Sequence, residues 1–336
     1  MKLAKHSKTE EQVAIKILKL SDTAIDFKRL KEEVEMMRKI DHPNVIKLKE
    51  FHENLEYKKR NGKSVPVAAI VMELATGGEL FEYVKRTGKF TEEEARTIFH
   101  VLIETLQFFH TKGIVHRNIK PENLLFDADF NLKIADLGYS TTVISSEGYQ
   151  QLTTIPTSDT YLAPEVLLGQ PYDGMVLDLF SAAMILFVMV TGLPPFMRAD
   201  SKDPFYKLIL ICRYDNFWAA HQRGQAKEAN KKSPFSDEFK AFMNSMFSAD
   251  PAQRLTLSEI KSHPWYTGKT ETLSQIKKNF ELKQLQVEEA LKKLREEKAK
   301  DKERRKLKEK GEAQFMDLRA FNGVRVWRGL SVIALN

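Results

Sequence analysis

The chain has 336 residues, enough for two core-sized units and a tail. Its hydrophobic content of 42% and aromatic content of 10% are those of a globular, soluble protein. Its single cysteine, Cys212, excludes an internal disulfide and fits a reducing compartment, so we expect a cytoplasmic protein.

No uninterrupted apolar run approaches the roughly 18 residues of a membrane span. The longest run, AAMILFVMV at 182–190, predicts a buried core helix. The N-terminal MKLAKHSKTEEQ lacks the apolar centre of a signal peptide. The net charge of +7 is uneven, with nine Lys or Arg against five Asp or Glu between Arg295 and Lys310. This pattern favours a solvated charged helix over a nucleic-acid or membrane patch.

Residues 1–74 have the pattern of a small, mostly β unit with one helix. The segments QVAIKIL (12–18), VIKLKEF (45–51) and VAAIVMEL (67–74) predict three strands. Apolar residues three and four apart between Asp26 and Ile40 predict an amphipathic helix, which DHPN ends. An Asn-Gly pair in the polar stretch 52–66 indicates a hairpin between the last two strands.

Helical patterns dominate from residue 75 to residue 267. The segments GELFEYVKRTG and TEEEARTIFHVLIETLQFFHTKG carry long apolar stripes of helical period. Thr91 is the expected N-cap of the second helix, with Glu94 three residues later. Two short β-type runs, NLLFD and LKIAD, flank ADFN, and apolar helical segments fill 163–265.

A long helix is predicted after the helical region, because residues 271–310 contain neither Pro nor Gly. Its apolar residues can share one face; they are Ile276, Phe280, Val287, Leu291 and Leu294. We expect this helix to be half docked and half solvated.

Several motifs occur in an order and at spacings that resemble the eukaryotic protein kinases. They are VAIK followed by Glu33 within a helix, VMELATGGELF, HRNIKPENLLF, DLG, APEVLL and DPAQRLTLSEIKSHPWY. Residues 12–265 resemble this family, and most closely its calcium/calmodulin-dependent group. The resemblance implies an α+β fold with a small β-rich lobe (1–74), a larger helical lobe (75–267) and a charged helical tail (268–336). It also implies ATP and Mg²⁺ as cofactors and phosphoryl transfer to Ser or Thr.

The resemblance assigns catalytic and metal-binding roles to five residues. Lys16 would hold the α- and β-phosphates while paired with Glu33. Asp136 and Asn123 would offer oxygen ligands, which magnesium prefers. Lys120 would neutralise the transferring phosphoryl group.

The segment between the two lobes is implied to hold the nucleotide base. The backbone from Glu73 to Ala75 would hydrogen-bond the adenine edge, and Met72 behind it would limit the depth of the pocket. Glu79 belongs to the same cofactor-binding set. Together with KPEN, Glu79 also resembles the groups that favour a basic residue upstream of the target hydroxyl. The expected partners are therefore protein substrates or signalling proteins with basic motifs.

Further positions have architectural or regulatory roles by resemblance. Asp178 is expected to begin a core helix and to anchor the backbone of the catalytic loop, HRNIKPENLLF at 116–126. Glu165 is expected to form a buried ion pair with Arg254.

The activation segment, 136–165, contains a candidate phosphorylation site. Thr154 matches a loop position phosphorylated in many relatives, and Arg117 would pair with a phosphate on that loop. Ser158 matches the small hydroxyl residue near the substrate.

The first departure from the family pattern is the glycine-rich loop. No G-x-G-x-x-G occurs in the chain, which starts just after the place where the first strand and that loop should lie. A truncated sequence and a biological loss both fit this observation. Without the loop's backbone amides, nucleotide affinity and γ-phosphate alignment should both suffer.

The second departure is Asn118, where active relatives carry the aspartate that accepts the substrate proton. An amide of the same shape can position a hydroxyl but has no basic oxygen of useful pKa. General-base assistance is typically worth about 10²–10⁴-fold, so efficient transfer is not expected.

Three functional hypotheses follow. The leading one is a catalytically weakened kinase that retains ATP and Mg²⁺ binding and acts through binding partners. The second is an active Ser/Thr kinase with a slow step. The third is an adaptor whose basic C-terminal helix recruits calmodulin or acidic membranes, in which case truncation after residue 270 should leave thermal stability nearly unchanged. A simpler alternative is that this helix packs on the large lobe and has only a structural role.

Overall fold

The computed structural model describes residues 1–20, 24–59, 62–156, 160–222 and 233–321. The chain divides into two compact units, Met1–Gln284 and Leu285–Asn336. Ser158 and residues 322–336 lie outside the described residues. The first unit contains both lobes of the α+β fold that the sequence predicts.

The small lobe is a four-stranded antiparallel sheet with one helix. Its elements are β1 (Lys2–Lys5), β2 (Gln12–Lys19), α1 (Ala24–Lys39), β3 (Leu48–Lys58) and β4 (Ser64–Glu73). The strands lie in the order β1-β2-β4-β3, and each neighbouring pair is antiparallel. The three predicted strands and the helix are present as β2, β3, β4 and α1, and β1 is an additional strand that the three predicted segments do not include. The antiparallel pairing of β3 with β4 confirms the predicted hairpin, although Asn61 of the Asn-Gly pair lies outside the described residues.

The large lobe is mainly helical. Its helices are α2 (Leu80–Thr87), α3 (Glu92–Thr111), α4 (Pro164–Leu167), α5 (Gly174–Thr191), α6 (Pro204–Leu210), α7 (Tyr214–Gln222), α8 (Asp237–Met246) and α9 (Leu257–Ser262). Its short strands are β5 (Gly78–Glu79), β6 (Ile114–Val115), β7 (Leu124–Phe126), β8 (Leu132–Ile134), β9 (Thr141–Thr142), β10 (Ile144–Ser145) and β11 (Gly148–Tyr149). The strands β5, β7 and β8 form a small sheet that positions the loops beneath the small lobe.

The start of α3 shows how local sequence fixes an element. The Thr91 hydroxyl accepts a hydrogen bond from the Glu94 N–H at 3.1 Å, and the Glu94 carboxylate accepts one from the Thr91 N–H at 3.0 Å. This is the predicted capping box, which satisfies two N–H groups that a helix start leaves unpaired.

Helix α5 is the central helix of the large lobe. Its N-cap is Asp173, whose side chain accepts from the N–H groups of Met175 and Val176. The prediction that Asp178 begins this helix is therefore wrong, because Asp178 lies one turn further along. Within the part of the chain that the structure describes, α5 alone is long and apolar enough to cross a membrane, and 89% of it is buried in the fold. Its burial confirms the predicted core helix at 182–190.

The predicted ion pair between Glu165 and Arg254 is present and buried. Two parallel hydrogen bonds of 2.7 Å join the guanidinium to the carboxylate. The two residues are only 5% and 6% exposed. Arg254 also donates to the Ser248 carbonyl at 2.8 Å, and its guanidinium lies 4.8 Å from the Phe180 ring centroid. This pair ties α4 to the segment before α9.

The last helix, α10 (Leu273–Phe321), begins in the first unit and confirms the predicted long helix. Phe280 is fully buried, with its ring centroid 4.9 Å from that of Phe126 and 5.3 Å from those of Tyr83 and Phe90. Lys283 forms an ion pair of 2.6 Å with Glu94. The first three turns of α10 are thus docked on the large lobe.

This docking changes the expected effect of truncation after residue 270. Removing the helix would expose the rings around Phe280, and full burial of such a side chain is worth about 1.5–3 kcal/mol. The burial of Phe280 therefore leads us to expect a loss of thermal stability on this truncation, in contrast to the nearly unchanged stability that the adaptor hypothesis implies.

Replacing Phe280 by Ala should lower the free energy of unfolding by about 3–5 kcal/mol, since a buried ring leaves a cavity. Leu282→Ala on the same helix is the matched control, because Leu282 is 57% exposed, and it should change stability by less than about 0.5 kcal/mol. Urea unfolding followed by circular dichroism measures both values. Equal losses in the two variants would contradict the docking.

Candidate active site

A cavity of about 560 Å³ lies between the small-lobe sheet and the loops of the large lobe. Eight of the residues singled out in the sequence line it: Lys16, Glu33, Met72, Glu73, Ala75, Glu79, Asn123 and Asp136. The fold therefore gathers residues from β2, α1, β4, β5 and three connecting segments into one cleft. Asn118, Lys120 and Thr154 do not line the cavity, although Asn118 contacts one of its walls.

Sequence reasoning missed the apolar walls of this cavity. They include Ala14, Ile46, Leu125 and Ala135. The two-residue period of strands could have found two of them. Ala14 lies two residues before Lys16 on β2 and shares its face. Leu125 lies between the buried Leu124 and Phe126 of β7, so it points to the opposite side.

The ammonium of Lys16 is held between two carboxylates. Its Nζ donates to Glu33 Oε2 at 2.6 Å and Oε1 at 2.8 Å, and to Asp136 Oδ1 at 3.4 Å. Burial alone would lower the pKa of Lys16, but Glu33 and Asp136 outweigh it and raise that pKa above its ordinary value. Lys16 is thus a fixed positive charge inside the cleft.

Glu33 is the buried member of this pair, at 3% exposure. Burial raises the pKa of Glu33, and the nearby Lys16 acts in the opposite direction. At 2.6 Å the ammonium keeps this carboxylate ionised at neutral pH. The predicted ion pair requires α1 to be packed against β2, and the structure contains that arrangement.

The side chain of Asn118 contacts Asp136. Asn118 is 5% exposed, and its Nδ2 donates to Asp136 Oδ2 at 3.0 Å. The amide orientation follows from this contact, because Oδ1 in the same place would face a carboxylate oxygen. Asn123 Nδ2 donates to the Asn118 backbone carbonyl at 2.8 Å. The Asn123 Oδ1 is therefore the atom of that amide able to bind a cation.

Asp178 holds the backbone that precedes Asn118. Its carboxylate accepts from the N–H groups of His116 and Arg117, both at 2.8 Å, and lies 3.1 Å from His110 Nε2. Arg117 has a φ of +63°, in the left-handed region that non-glycine residues seldom occupy. The predicted anchoring of the catalytic loop is present, and it maintains this unusual backbone.

His116 is fully buried beneath the loop as a neutral imidazole. Its Nδ1 accepts from the Asn118 N–H at 3.2 Å, and Nε2 lies 3.3 Å from the Ala135 carbonyl, to which it donates. Burial lowers the pKa of His116, more than Asp178 and Asp136 raise it. The neutral form is the one that can make both bonds.

Arg117 links the catalytic loop to the activation segment. Its Nε donates to the Tyr139 carbonyl at 2.6 Å, and its Nη1 donates to Thr154 Oγ1 at 2.8 Å. The two residues that the sequence relates to loop phosphorylation therefore meet in the structure.

The segment after β4 offers backbone groups to the cavity. The Glu73 N–H donates to the Lys47 carbonyl at 3.0 Å, and the Glu73 side chain accepts from Lys133 at 3.1 Å. Among the described residues, no backbone hydrogen bond involves Ala75. The N–H of Ala75 can therefore donate, and its carbonyl oxygen can accept, a hydrogen bond with a ligand.

Carboxylates cluster at the edge of the cavity around Glu79. Burial raises the pKa of Glu79, and the charges of Glu82 and Glu122 raise it further. Glu82 also pairs with Arg86 at 2.9 Å. This edge has a negative potential, which favours basic ligands.

A family model described as the protein kinase domain matches residues 1–266. The chain therefore belongs to the protein kinase family, whose members generally use ATP and Mg²⁺.

Similar curated proteins include kinases from plants and from a fish, two of them named as serine/threonine-protein kinases. CBL-interacting serine/threonine-protein kinases 24 and 8 of Arabidopsis thaliana are 33% and 34% identical, covering 79% of this chain and 54% of their own length. Maternal embryonic leucine zipper kinase of Danio rerio is 34% identical, covering 79% of this chain and 35% of its own length. The chain thus spans about half the length, or less, of these relatives.

Protonation of His116 should destabilise the fold in acid. Its folded-state pKa lies below the unfolded value of about 6.5, so its stabilising contribution is complete above about pH 6.5 and is lost as the pH falls. The free energy of unfolding should therefore decrease in urea titrations as the pH falls below about 6.5.

His116→Gln is the matched control, since Gln offers an acceptor and a donor but does not titrate. The variant should show a smaller acid-dependent loss than the parent. Burial also lowers the pKa of His42, His100 and His263. An unchanged loss in the variant would assign the pH dependence to those residues instead.

Proposed function

We propose that the chain binds ATP with Mg²⁺ in the cleft and transfers the γ-phosphoryl group to protein Ser or Thr only slowly. Its main role would then be as a nucleotide-responsive binding protein in signalling. The observation that carries the proposal is the Asn118 amide in contact with Asp136, beside an intact Lys16–Glu33 ion pair. The groups expected to bind the nucleotide and the metal are in place, but the Asn118 side chain beside them cannot accept a proton.

The residues present fit the nucleotide and the metal. A fixed ammonium suits phosphate, carboxylate and amide oxygens suit magnesium, and the cavity has the size of small-molecule sites, about 300–1,000 Å³. Lys16 would bind phosphate oxygens, with Glu33 holding it in place. Asp136 and Asn123 would hold the cation, and the Ala75 backbone would meet the adenine edge behind Met72. Bound ATP supplies the phosphoryl group, and Mg²⁺ neutralises its charge.

The slow step follows from the chemistry of the Asn118 side chain. Its Nδ2 is committed to Asp136, so Oδ1 remains to accept a hydrogen bond from a substrate hydroxyl. That contact positions the hydroxyl, but an amide oxygen does not take up its proton at neutral pH. The loss corresponds to roughly 3–5 kcal/mol of barrier. Phosphoryl transfer depends mainly on positioning and charge neutralisation, which Lys120 would assist, so a residual rate is expected.

A second candidate function is an active Ser/Thr kinase of moderate rate. The hydrogen bond of 2.8 Å from Arg117 to Thr154 favours this second function. This bond joins the catalytic loop to the activation segment at Thr154. A phosphate on Thr154 would strengthen this link through charge-assisted hydrogen bonds.

The proposed partners follow from charge and from the relatives. Substrates or signalling proteins with basic motifs suit the carboxylates around Glu79. The relatives named CBL-interacting kinases support a regulatory protein as partner of this chain, and calmodulin at the C-terminal helix is the alternative. A cytoplasmic location remains a prediction.

Replacing Asn118 by Asp should restore the general base and raise kcat for a peptide with a basic residue upstream of its serine by about 10²–10⁴-fold. Radiolabelled phosphate incorporation measures the rate. Asp136→Ala, introduced into parent and variant, should abolish transfer in both. A parent that is as fast as the variant would support the second candidate function.

Nucleotide binding tests the cleft without relying on transfer. Replacing Lys16 by Met should weaken binding of a fluorescent ATP analogue with Mg²⁺ about tenfold or more, because charge-assisted hydrogen bonds to phosphate are lost. Lys19→Met is the matched control, since Lys19 ends the same strand and is exposed. Fluorescence anisotropy gives both dissociation constants. Absence of saturable binding by the parent would overturn the proposed function.

A further inference from the structure

Both oxygens of the Asp136 carboxylate have hydrogen-bond donors from the chain itself. Oδ1 lies 3.4 Å from Lys16 Nζ, and Oδ2 accepts from Asn118 Nδ2 at 3.0 Å. Asp136 also has a φ of +64°, so its position depends on surrounding contacts. The contact with Asn118 bridges 18 residues of sequence and joins the two loops below the cavity.

We propose that the Asn118 amide stabilises Asp136 in the absence of a divalent cation, so that this cleft binds a nucleoside triphosphate with little dependence on Mg²⁺. This inference rests on the proposed nucleotide binding and adds its metal requirement.

The side chains of residues 118 and 136 lie within hydrogen-bond distance of each other. If residue 118 were an aspartate, two carboxylate oxygens would face each other at about the distance now spanned by a hydrogen bond. Like charges that share a site disfavour the doubly ionised state unless a cation lies nearby. The amide removes that repulsion and adds a hydrogen bond to an ionised acceptor, which is among the stronger kinds. The Asn118 N–H thus partly offsets the negative charge of Asp136, as a bound cation would.

The charge at position 118 leads to the same conclusion. The cavity lining already contains several carboxylates, among them Glu33 and Asp136. A carboxylate at 118 would add one more negative charge beside Asp136, whereas the amide adds none. A triphosphate without metal is a polyanion, so it meets less repulsion with the amide than it would with a carboxylate at this position.

Magnesium binding remains compatible with this geometry. An ionised carboxylate has about four lone-pair sites, and two hydrogen bonds leave room for a cation. Asn123 Oδ1 adds a neutral oxygen of the kind that magnesium accepts. The cation is therefore tolerated in the cleft, while the amide makes it dispensable for binding.

The test measures affinity for a fluorescent ATP analogue in excess Mg²⁺ and in EDTA, using the full chain. The parent should lose only a few-fold in affinity when the metal is removed. Asn118→Asp should lose about tenfold or more, since its two carboxylates then lack a counter-charge. Asn118→Ala removes the hydrogen-bond donor without adding a charge. Its loss of affinity on removal of the metal should therefore lie between those of the other two proteins.

Thermal unfolding without nucleotide provides a second readout that also checks folding. Addition of Mg²⁺ should raise the Tm of Asn118→Asp more than that of the parent, because the cation relieves repulsion that only the variant contains. Equal responses in the two proteins would count against the proposal.

Three outcomes overturn the inference in distinguishable ways. Parent binding that requires Mg²⁺ as strongly as Asn118→Asp contradicts it and leaves the proposed nucleotide binding intact. An Asn118→Ala variant with the same metal dependence as the parent shows that the hydrogen bond is not responsible. No binding by the parent in either buffer overturns the proposed function and the inference with it.

Discussion

The geometry of the cleft depends on one buried carboxylate, that of Asp178. Its side chain is fully buried, where an unpaired charge would cost several kcal/mol. Two backbone N–H groups of the catalytic loop and the His110 ring offset that cost. Because those N–H groups must point toward α5, Arg117 adopts its left-handed backbone and Asn118 emerges beneath Asp136. The packing of a core helix therefore determines where the chemical groups lie.

Substituting an amide for a carboxylate separates two tasks that share the same few residues. Binding needs a fixed cation, oxygen ligands and a free backbone edge, which Lys16, Asp136 and Ala75 can supply. Transfer additionally needs an acceptor for a proton, which Asn118 does not provide. The amide also donates a hydrogen bond to Asp136, so this partly exposed carboxylate has a second partner besides Lys16. Under the proposed function, this hydrogen bond explains how the binding groups can stay in place although position 118 lacks a proton acceptor.

Much of the fold could be predicted, because its determinants are local or occur in a fixed order. The capping box of Thr91 needs only a spacing of three residues, and the pairing of Lys16 with Glu33 follows from motif order. Other features depend on tertiary packing that no spacing shows. Asn118 meets Asp136 only after two loops converge, and Asp178 proved to lie a turn inside its helix because the N-cap is Asp173. The apolar stripe of α10 was visible in the sequence, but not the ring cluster that receives Phe280.

The buried pair of Glu165 and Arg254 has a consequence for how this sequence can evolve. Each partner neutralises the other at a site where both side chains are almost completely buried. Replacing one alone therefore leaves an unpaired buried charge, at a cost of about 3–5 kcal/mol. An apolar pair of similar volume could be tolerated, yet it is reached only through a destabilised single mutant. The substitutions tolerated at position 165 therefore depend on the residue at position 254, and the reverse, although 89 residues of sequence separate the two.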